Sequence, residues 1–373
     1  MIQSPNRTSI SAQALAEVPT PSLIVDLATV DSNILAAEEL LAGSSVALRP
    51  HYKAHKCTRL LWRQLRVGNC REGVTCQTSW EALILARKGF QDVLVSNQVV
   101  DPSALARLVS AAHLTSVTVA VDSPVHVAAL ESAASRAGVH LGVLIEIDVG
   151  LGRCGLPPGS AQLLQLARAL ESSNQLTFKG LQAYEGHAVQ VADRRSRRAL
   201  VRESAALIEA ERTVLLDAGF ACDLITGGGT GTMDLAVENG VLDEVQAGSY
   251  VLYDASYATL DLPFRPAVFC VATVVSKRDA EFAVVDAGLK QLTTDSGFPI
   301  PTDSSVSVLG MSDEHTRVRL AAGADYAIGD RITLIPSHVD PTVNLHPSLF
   351  ACERNNLWEW PVDGRTGFSS GMA

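Results

Sequence analysis

The chain has no pair of cysteines at redox or zinc-ligand spacing. Its seven cysteines, at positions 57, 70, 76, 154, 222, 270 and 352, are odd in number, scattered, and include no Cys-x-x-Cys. That pattern excludes a disulfide framework and a zinc ribbon, and predicts reduced, mostly buried thiols in a cytoplasmic protein. Long apolar runs are missing too: none approaches the ~20 residues a membrane-spanning helix requires. Residues 1–17 are polar and lack the apolar core of a secretory signal. Basic charge is scarce, and the formal net charge of -10 argues against nucleic acid or an anionic membrane surface as a partner. What the chain does have is length and apolar content. At 373 residues, 47% hydrophobic, it can bury a substantial core in one large domain or two moderate ones.

Residues 1–19 read as a loose arm. Thr20-Pro21 marks a turn and Ser22 to Leu27 a strand, followed by helical spacing of Ile34, Leu35, Leu40 and Leu41 up to Gly43. From residue 45 a rhythm sets in. Strand-like runs at 45–50, 70–76, 92–96, 117–122, 141–148, 178–184, 222–226 and 243–247 alternate with amphipathic, Ala/Leu-rich segments. The longest segment, Ala192 to Gly219, carries an arginine cluster that reads as a solvated helix face. Eight strands, parallel by implication, predict a (β/α)8 TIM-type barrel over residues 20–257. A dinucleotide-binding sheet fits less well, because no Gly-x-Gly-x-x-Gly follows the first strand. After Tyr257 the texture changes to short β-rich runs separated by Gly, Asp and Pro. Residues 258–373 therefore read as a mainly antiparallel β domain, which the strand at 22–26 could join.

Parallel barrels carry their reactive groups at the carboxyl ends of the strands. The first strand here ends in Arg49-Pro50-His51-Tyr52-Lys53-Ala54-His55-Lys56. A partly desolvated lysine crowded by positive charge loses its proton more readily, and could form an imine with a carbonyl cofactor; an exposed basic loop is the plainer alternative. The fifth strand ends in Asp148-Val-Gly-Leu-Gly-Arg153-Cys-Gly, the sixth in Tyr184-Glu185-Gly186-His187, and the seventh in Thr226-Gly-Gly-Gly-Thr-Gly-Thr232. Glycines let backbone N–H groups approach a phosphate, and the last stretch lacks the Lys-Ser/Thr ending of a nucleotide loop. In Pro336-Ser337-His338-Val339-Asp340-Pro341-Thr342, read as a strand, His338 and Asp340 project to one face and can grip one ion. One imidazole and one carboxylate leave positions open for water or substrate, as suits a Lewis-acid Mn²⁺, Mg²⁺ or Zn²⁺ site; a structural pair is the alternative.

Taken in order, Arg-Pro-His-x-Lys, Val149-Gly-Leu-Gly-Arg-Cys-Gly, the Thr-Gly-Gly-Gly-Thr-Gly stretch, Asp286-Ala-Gly-Leu-Lys290 and Pro-Ser-His-x-Asp-Pro-Thr-x-Asn344 resemble the D-threonine aldolase / D-serine dehydratase family. The likeness spans residues from about 20 to 365. It implies a fold-type III pyridoxal 5'-phosphate enzyme with an alanine racemase-like barrel and β domain, working as a homodimer on a small-molecule D-3-hydroxy amino acid. By the same resemblance Lys53 would bind the cofactor carbonyl, with Lys56 as a nearby cation. Arg153 would lie against the cofactor ring and Tyr184 beside it. Thr226, Gly228, Gly229, Thr230 and Tyr250 would hold the phosphate, and His338 and Asp340 the divalent metal. His-x-Asp resembles the aldolases of the family and His-x-Cys its zinc-dependent dehydratases. The sequence departs from the aldolase pattern after the sixth strand, where Gln190 stands in place of a histidine. His187 is the substitute candidate for proton transfer. Asp313-Glu314-His315 also resembles a segment near the metal. An aldolase yielding glycine and an aldehyde is expected, with a D-serine or 3-hydroxy-D-aspartate dehydratase as the alternative.

Overall fold

The computed structural model describes residues 10–68 and 73–365. Along the chain, β1 (Ser22–Asp26) precedes eight short strands: β2 (Ala47–Leu48), β3 (Gly73–Cys76), β4 (Asp92–Val95), β5 (Ser116–Val121), β6 (Leu141–Glu146), β7 (Leu176–Ala183), β8 (Leu224–Gly227) and β9 (Glu244–Val245). These eight form one sheet in the order β2-β9-β8-β7-β6-β5-β4-β3, with every pairing parallel. Its two end strands meet through a parallel bridge between His51 and Thr75, and the Thr75 N–H donates to the Pro50 carbonyl at 2.8 Å. The sheet thus closes on itself as the expected (β/α)8 barrel. Each strand falls within or across its expected run; residues 70–72 of the run 70–76 lie outside the described residues. Between strands the helices start where the sequence caps them. Thr78 and Glu81 form a reciprocal capping box ahead of Ser79–Arg87, and Asp101 caps Pro102–Ala112 with proline in the first turn.

The remaining strands are β10 (Val268–Lys277), β11 (Phe282–Val285), β12 (Ile300–Pro301), β13 (Val306–Met311), β14 (Thr316–Leu320), β15 (Arg331–Ile335), β16 (Ser348–Glu353) and β17 (Asn356–Pro361). With β1 they make a second sheet. It is antiparallel except where β1 runs parallel to β16. β1 lies between β10 and β16, so the strand at 22–26 is part of this sheet. The described residues cluster into two compact units. One comprises those of Glu38–Lys53 and Leu61–Gly248; the other comprises those of Met1–Ala37, Ala54–Leu60 and Ser249–Ala373. Residues 249–257, assigned to the barrel by their position in the alternation, group with the β-rich unit. Among the described residues no helix is long and apolar enough to cross a membrane.

Two expectations are overturned. Residues 10–19 are not a loose arm: Ala12–Glu17 is helical, capped by Ser11, and Ile10, Ala14 and Val18 are buried with Ile24, Phe269, Val271 and Ile335. Their i, i+4, i+8 spacing is a short apolar stripe of the kind that seats a helix. The arginine cluster on Arg194–Asp217 is not wholly solvated either. Arg194 and Arg198 pair with Asp234 and Glu238. Arg197 is fully buried, its Nη1 donating to the Val191 carbonyl at 2.6 Å. Helical periodicity places a residue on the inner face but cannot say that a guanidinium there finds a carbonyl to bond.

One of the barrel's two shortest strands, β2, is the one that leads to Lys53. β2 and β9 pair over two residues each, which gives the backbone little hold on their register. The Arg49 side chain adds to it. Its Nε and Nη2 grip both oxygens of Glu244 at 2.7 and 2.9 Å, and Nη2 also reaches Asp92 Oδ2 at 2.9 Å. Arg49 and Glu244 are buried, so the pair forms without competing water. Gly73 makes the room: a Cβ there would stand 2.1 Å from Arg49 Nη1. Arg49→Met should cost about 3–5 kcal/mol in urea denaturation, because Glu244 is left buried without its partner. Joint replacement of Arg49 and Glu244 by apolar residues should cost clearly less; equal costs would show that the pair is not coupled.

Candidate active site

The segment bearing Lys53 is built by the barrel's own closure. His51 N–H donates to the Ala247 carbonyl at 2.9 Å, and the chain then turns through one 3-10 turn, Tyr52–Ala54. Tyr52 is fully buried and Lys53 half-buried. The histidines flanking the lysine do not stand as free positive charges around it. His51 Nδ1 accepts the Lys53 N–H at 3.4 Å, and its Nε2 lies 3.4 Å from Ser96 Oγ. His55 is buried and accepts the Cys57 N–H. Lys56 adopts a left-handed backbone, with φ of 49°, and its carbonyl accepts the Gly364 N–H.

At the ends of β7 and β8 the other predicted barrel residues converge. The Arg153 guanidinium lies 5.3 Å from the centre of the Tyr184 ring, a cation–π stack. The same ring borders the glycine stretch: a Cβ on Gly229 would meet Tyr184 Cε2 at 3.6 Å. Glycine is required through this turn. Gly228 has φ of +68°, and a Cβ on Gly227 or Gly231 would run into the carbonyls of Ala183 and Val189 at 1.8 and 1.7 Å. Thr230–Thr232 then forms a 3-10 turn leading into the helix Met233–Asn239. Two of the N–H groups expected for phosphate are already engaged within the chain. Gly228 N–H donates to Glu185 Oε2 and Gly229 N–H to Thr232 Oγ1, each at 3.1 Å. These two glycines therefore give the turn its shape and the room for close approach, rather than its donors. His187 is half-buried with its ring against Gly150, where a Cβ would come within 2.9 Å of His187 Cε1. Its Nδ1 is buried with no hydrogen-bond partner among the described residues.

Sequence reasoning missed the polar groups behind this surface. Gln98 Nε2 donates to Glu146 at 2.5 Å, Glu146 is hydrogen-bonded to Gln182, and Gln246 Nε2 lies 3.4 Å from Gln182 Oε1 and 3.0 Å from Thr226 Oγ1. The chain of amides ends on the Thr226 hydroxyl, which accepts from Gln246 and keeps its own proton to donate. Burial pushes the Glu146 carboxyl above its usual range, against hydrogen bonds from Gln98 and Gln182. Glu185 is the second such group. It lies within the recognised Tyr-Glu-Gly-His stretch but had no assigned role. It is buried, its Oε1 has no partner among the described residues, and it borders a cavity of about 20 Å³ with Val201, Ser204, Ile208 and Leu242.

The residues expected to bind a metal lie in the β-rich unit, and not on a strand. His338 is extended (φ -143°) at the N-cap of the helix Val339–Leu345, and Asp340 is in its first turn. The signal was present in the sequence: Asp340-Pro341 is an acidic residue followed by proline, a combination that suits a helix start rather than a strand interior. The two side chains face each other nonetheless, with Nε2 and Oδ2 3.9 Å apart. Two ligands each about 2.1 Å from one ion can stand up to about 4.2 Å apart, so the pair fits a shared cation. Ser249 Oγ lies 3.4 Å from Asp340 Oδ2, and the buried Asp254 accepts the Val339 N–H at 2.8 Å. Among the described residues no group of three or more His, Cys, Asp or Glu could hold a metal ion. Tyr250 is fully buried in the same unit, its ring 5.7 Å from that of Phe264. His315, in the Asp313-Glu314-His315 segment, is exposed, and Glu314 pairs with Lys290 at 2.5 Å.

Glu185 yields a pH test. Burial, the largest influence, pushes its carboxyl above the ordinary value; hydrogen bonds involving its own backbone, Thr232 and Gly228 and the charge of His187 oppose this. An acid raised in the folded state stabilises the fold below its unfolded value, near 4.3, and that contribution is lost as pH climbs toward the folded value. Glu185→Gln keeps an acceptor for Gly228 and removes the ionisation. Its urea midpoint relative to wild type should therefore rise between about pH 5 and about pH 8; a constant difference would contradict the shift.

Comparison with known proteins agrees with this arrangement. A family model for the alanine racemase N-terminal domain matches residues 25–255, and one for a serine dehydratase domain matches residues 267–352. D-threonine aldolase of Arthrobacter sp is 39% identical over 95% of this chain and 94% of its own. 3-Hydroxy-D-aspartate aldolase of Paracoccus denitrificans (strain Pd 1222) is 35% identical over 94% and 93%. The crystal structure of D-threonine aldolase from Filomicrobium marinum superposes with a TM-score of 0.90 at 35% identity, covering 97% of this chain and 99% of that one. With the barrel, the β-rich unit and the ordered motifs in place, the chain belongs to the D-threonine aldolase / D-serine dehydratase family, enzymes with an alanine racemase-like fold.

Proposed function

We propose that the chain is a pyridoxal phosphate- and divalent metal-dependent aldolase that cleaves D-3-hydroxy-α-amino acids, such as D-threonine, D-phenylserine or 3-hydroxy-D-aspartate, to glycine and an aldehyde. The observation that carries the reading is the His338–Asp340 pair, a hard carboxylate beside an imidazole where the family's dehydratases have a thiol. When bound, pyridoxal phosphate supplies an electron sink for the carbon left behind by bond cleavage, and a divalent ion supplies Lewis acidity toward the 3-hydroxyl.

The chain's own residues have separate tasks. Lys53 is the amine that holds the cofactor carbonyl. Thr226, Gly228, Gly229 and Thr230 would take the phosphate, with Gln246 orienting the Thr226 hydroxyl, and the family resemblance assigns Tyr250 to the same group. Arg153 and Tyr184, already stacked, offer a flat cationic edge to the cofactor ring. His338 and Asp340 would hold the cation, which would supply Lewis acidity for the substrate's hydroxyl. His187 is the assigned proton acceptor at that hydroxyl, in place of the histidine that Gln190 replaces. Removing the hydroxyl proton splits Cα–Cβ; removing the α-proton instead expels the hydroxyl. The second route is the dehydratase reading, which the serine dehydratase domain match over residues 267–352 favours.

Product analysis separates the two. Incubation with D- and L-3-hydroxy amino acids should give glycine and aldehyde from D-isomers only, abolished by chelator and restored by Mn²⁺. Ammonia with a 2-oxo acid and no glycine would establish the dehydratase, and full turnover in chelator would remove the metal from the account. Lys53→Ala should leave pyridoxal phosphate removable by dialysis and lower turnover by on the order of 10³-fold or more, beyond what loss of a weak acid–base contribution produces. A stable, non-dialysable cofactor in that variant would move the assignment to Lys56.

A further inference from the structure

Resting on the metal-site reading above, we propose that Asp295 is a positioning residue for the cation: its carboxylate bonds the far nitrogen of His338 and turns the near nitrogen toward Asp340. Asp295 Oδ2 lies 2.5 Å from His338 Nδ1, and it is Nε2, the other ring nitrogen, that faces Asp340. A neutral imidazole bears one N–H and one lone pair. A carboxylate on Nδ1 holds the proton there, leaves the lone pair on Nε2, and raises the basicity of that nitrogen toward a metal.

A partly exposed histidine–aspartate contact is by itself unremarkable, since surface ion pairs contribute little. What distinguishes this one is how the segment carrying Asp295 is tied down. Ser337 Oγ donates to the Thr293 carbonyl at 2.9 Å, Thr293 Oγ1 lies 3.3 Å from Thr342 Oγ1, and His346 Nε2 donates to the Gln291 carbonyl at 2.8 Å. Ser337, Thr342 and His346 are all buried. Residues 291–295 are thus pinned alongside the very turn and helix that carry His338 and Asp340. Ser249 on Asp340 and Asp254 on the Val339 N–H hold that turn independently.

The test is Mn²⁺ affinity, read by competition with a fluorescent chelator on the cofactor-loaded protein. Asp295→Ala should bind Mn²⁺ about 10–100-fold more weakly, the range for losing an outer partner of a metal-bound histidine. Asp295→Asn, whose amide oxygen can still accept from Nδ1, should stay within about threefold of wild type. Cofactor content and melting temperature should not change, since Asp295 is half-exposed. Asp295→Ala binding as tightly as wild type would overturn the proposal. So would a loss equal to that of His338→Ala with no rescue by asparagine, since Asp295 would then be a ligand itself. Wild-type affinity in His338→Ala would instead overturn the metal-site reading, leaving the two failures distinguishable.

Discussion

The ion pair between Arg49 and Glu244 is the contact on which the barrel's chemistry rests. β2 and β9 are two residues long, and strands this short have little cooperative backbone bonding to hold register. A slip of one position would turn Lys53 from one face of the strand end to the other. A guanidinium gripping both carboxylate oxygens, in the space that Gly73 leaves open, admits one register only. The arrangement is rigid because it is dry. Removing Arg49 leaves Glu244 buried without this partner, whereas removing Glu244 leaves Arg49 with only the more exposed Asp92.

The same economy governs the polar groups under the candidate cofactor surface. Glu146 and Glu185 are both buried carboxyls whose environment favours the protonated form. Each touches an element of the surface from behind. Glu146 starts the amide chain that ends on Thr226, and Glu185 holds the Gly228 N–H. Burial makes both carboxyls harder to ionise than exposed ones, which lessens the tendency to place negative charge behind this surface. The glycines owe their place to sterics at carbonyls of β7 and the following loop, rather than to donation alone.

For the cation proposed at His338 and Asp340, two side chains would suffice, because a Lewis acid that must bind substrate cannot be saturated by protein ligands. The remainder of the turn serves to hold the pair at a separation that one ion can bridge. Asp295 bonds His338, and from the stretch 249–254 Ser249 bonds Asp340 and Asp254 the Val339 N–H between the pair. Whether such a site breaks a carbon–carbon or a carbon–oxygen bond depends on which proton is removed first. Gln190, where the family resemblance leads one to expect a histidine, stands at the position to which proton transfer would otherwise be assigned.

Periodicity and punctuation in the chain carried the barrel, the β-rich sheet and the short motifs, because strand and helix spacing and glycine geometry are local properties. The positions of Lys53, Tyr184, Arg153 and the glycine stretch were legible for the same reason: each stands at a strand end that its own neighbours define. Residues whose roles depend on what arrives from elsewhere were not legible. Arg49 looked like part of a basic loop until Glu244, 195 positions later, supplied its partner. Arg197 looked solvated until it met the Val191 and Ala192 carbonyls. Asp295 had no local signal at all, and became significant only when His338, 43 positions later, was returned to it. Local spacing determines which backbone forms; only folding in three dimensions determines which buried charge finds its counterpart, because that pairing is made across the chain rather than along it.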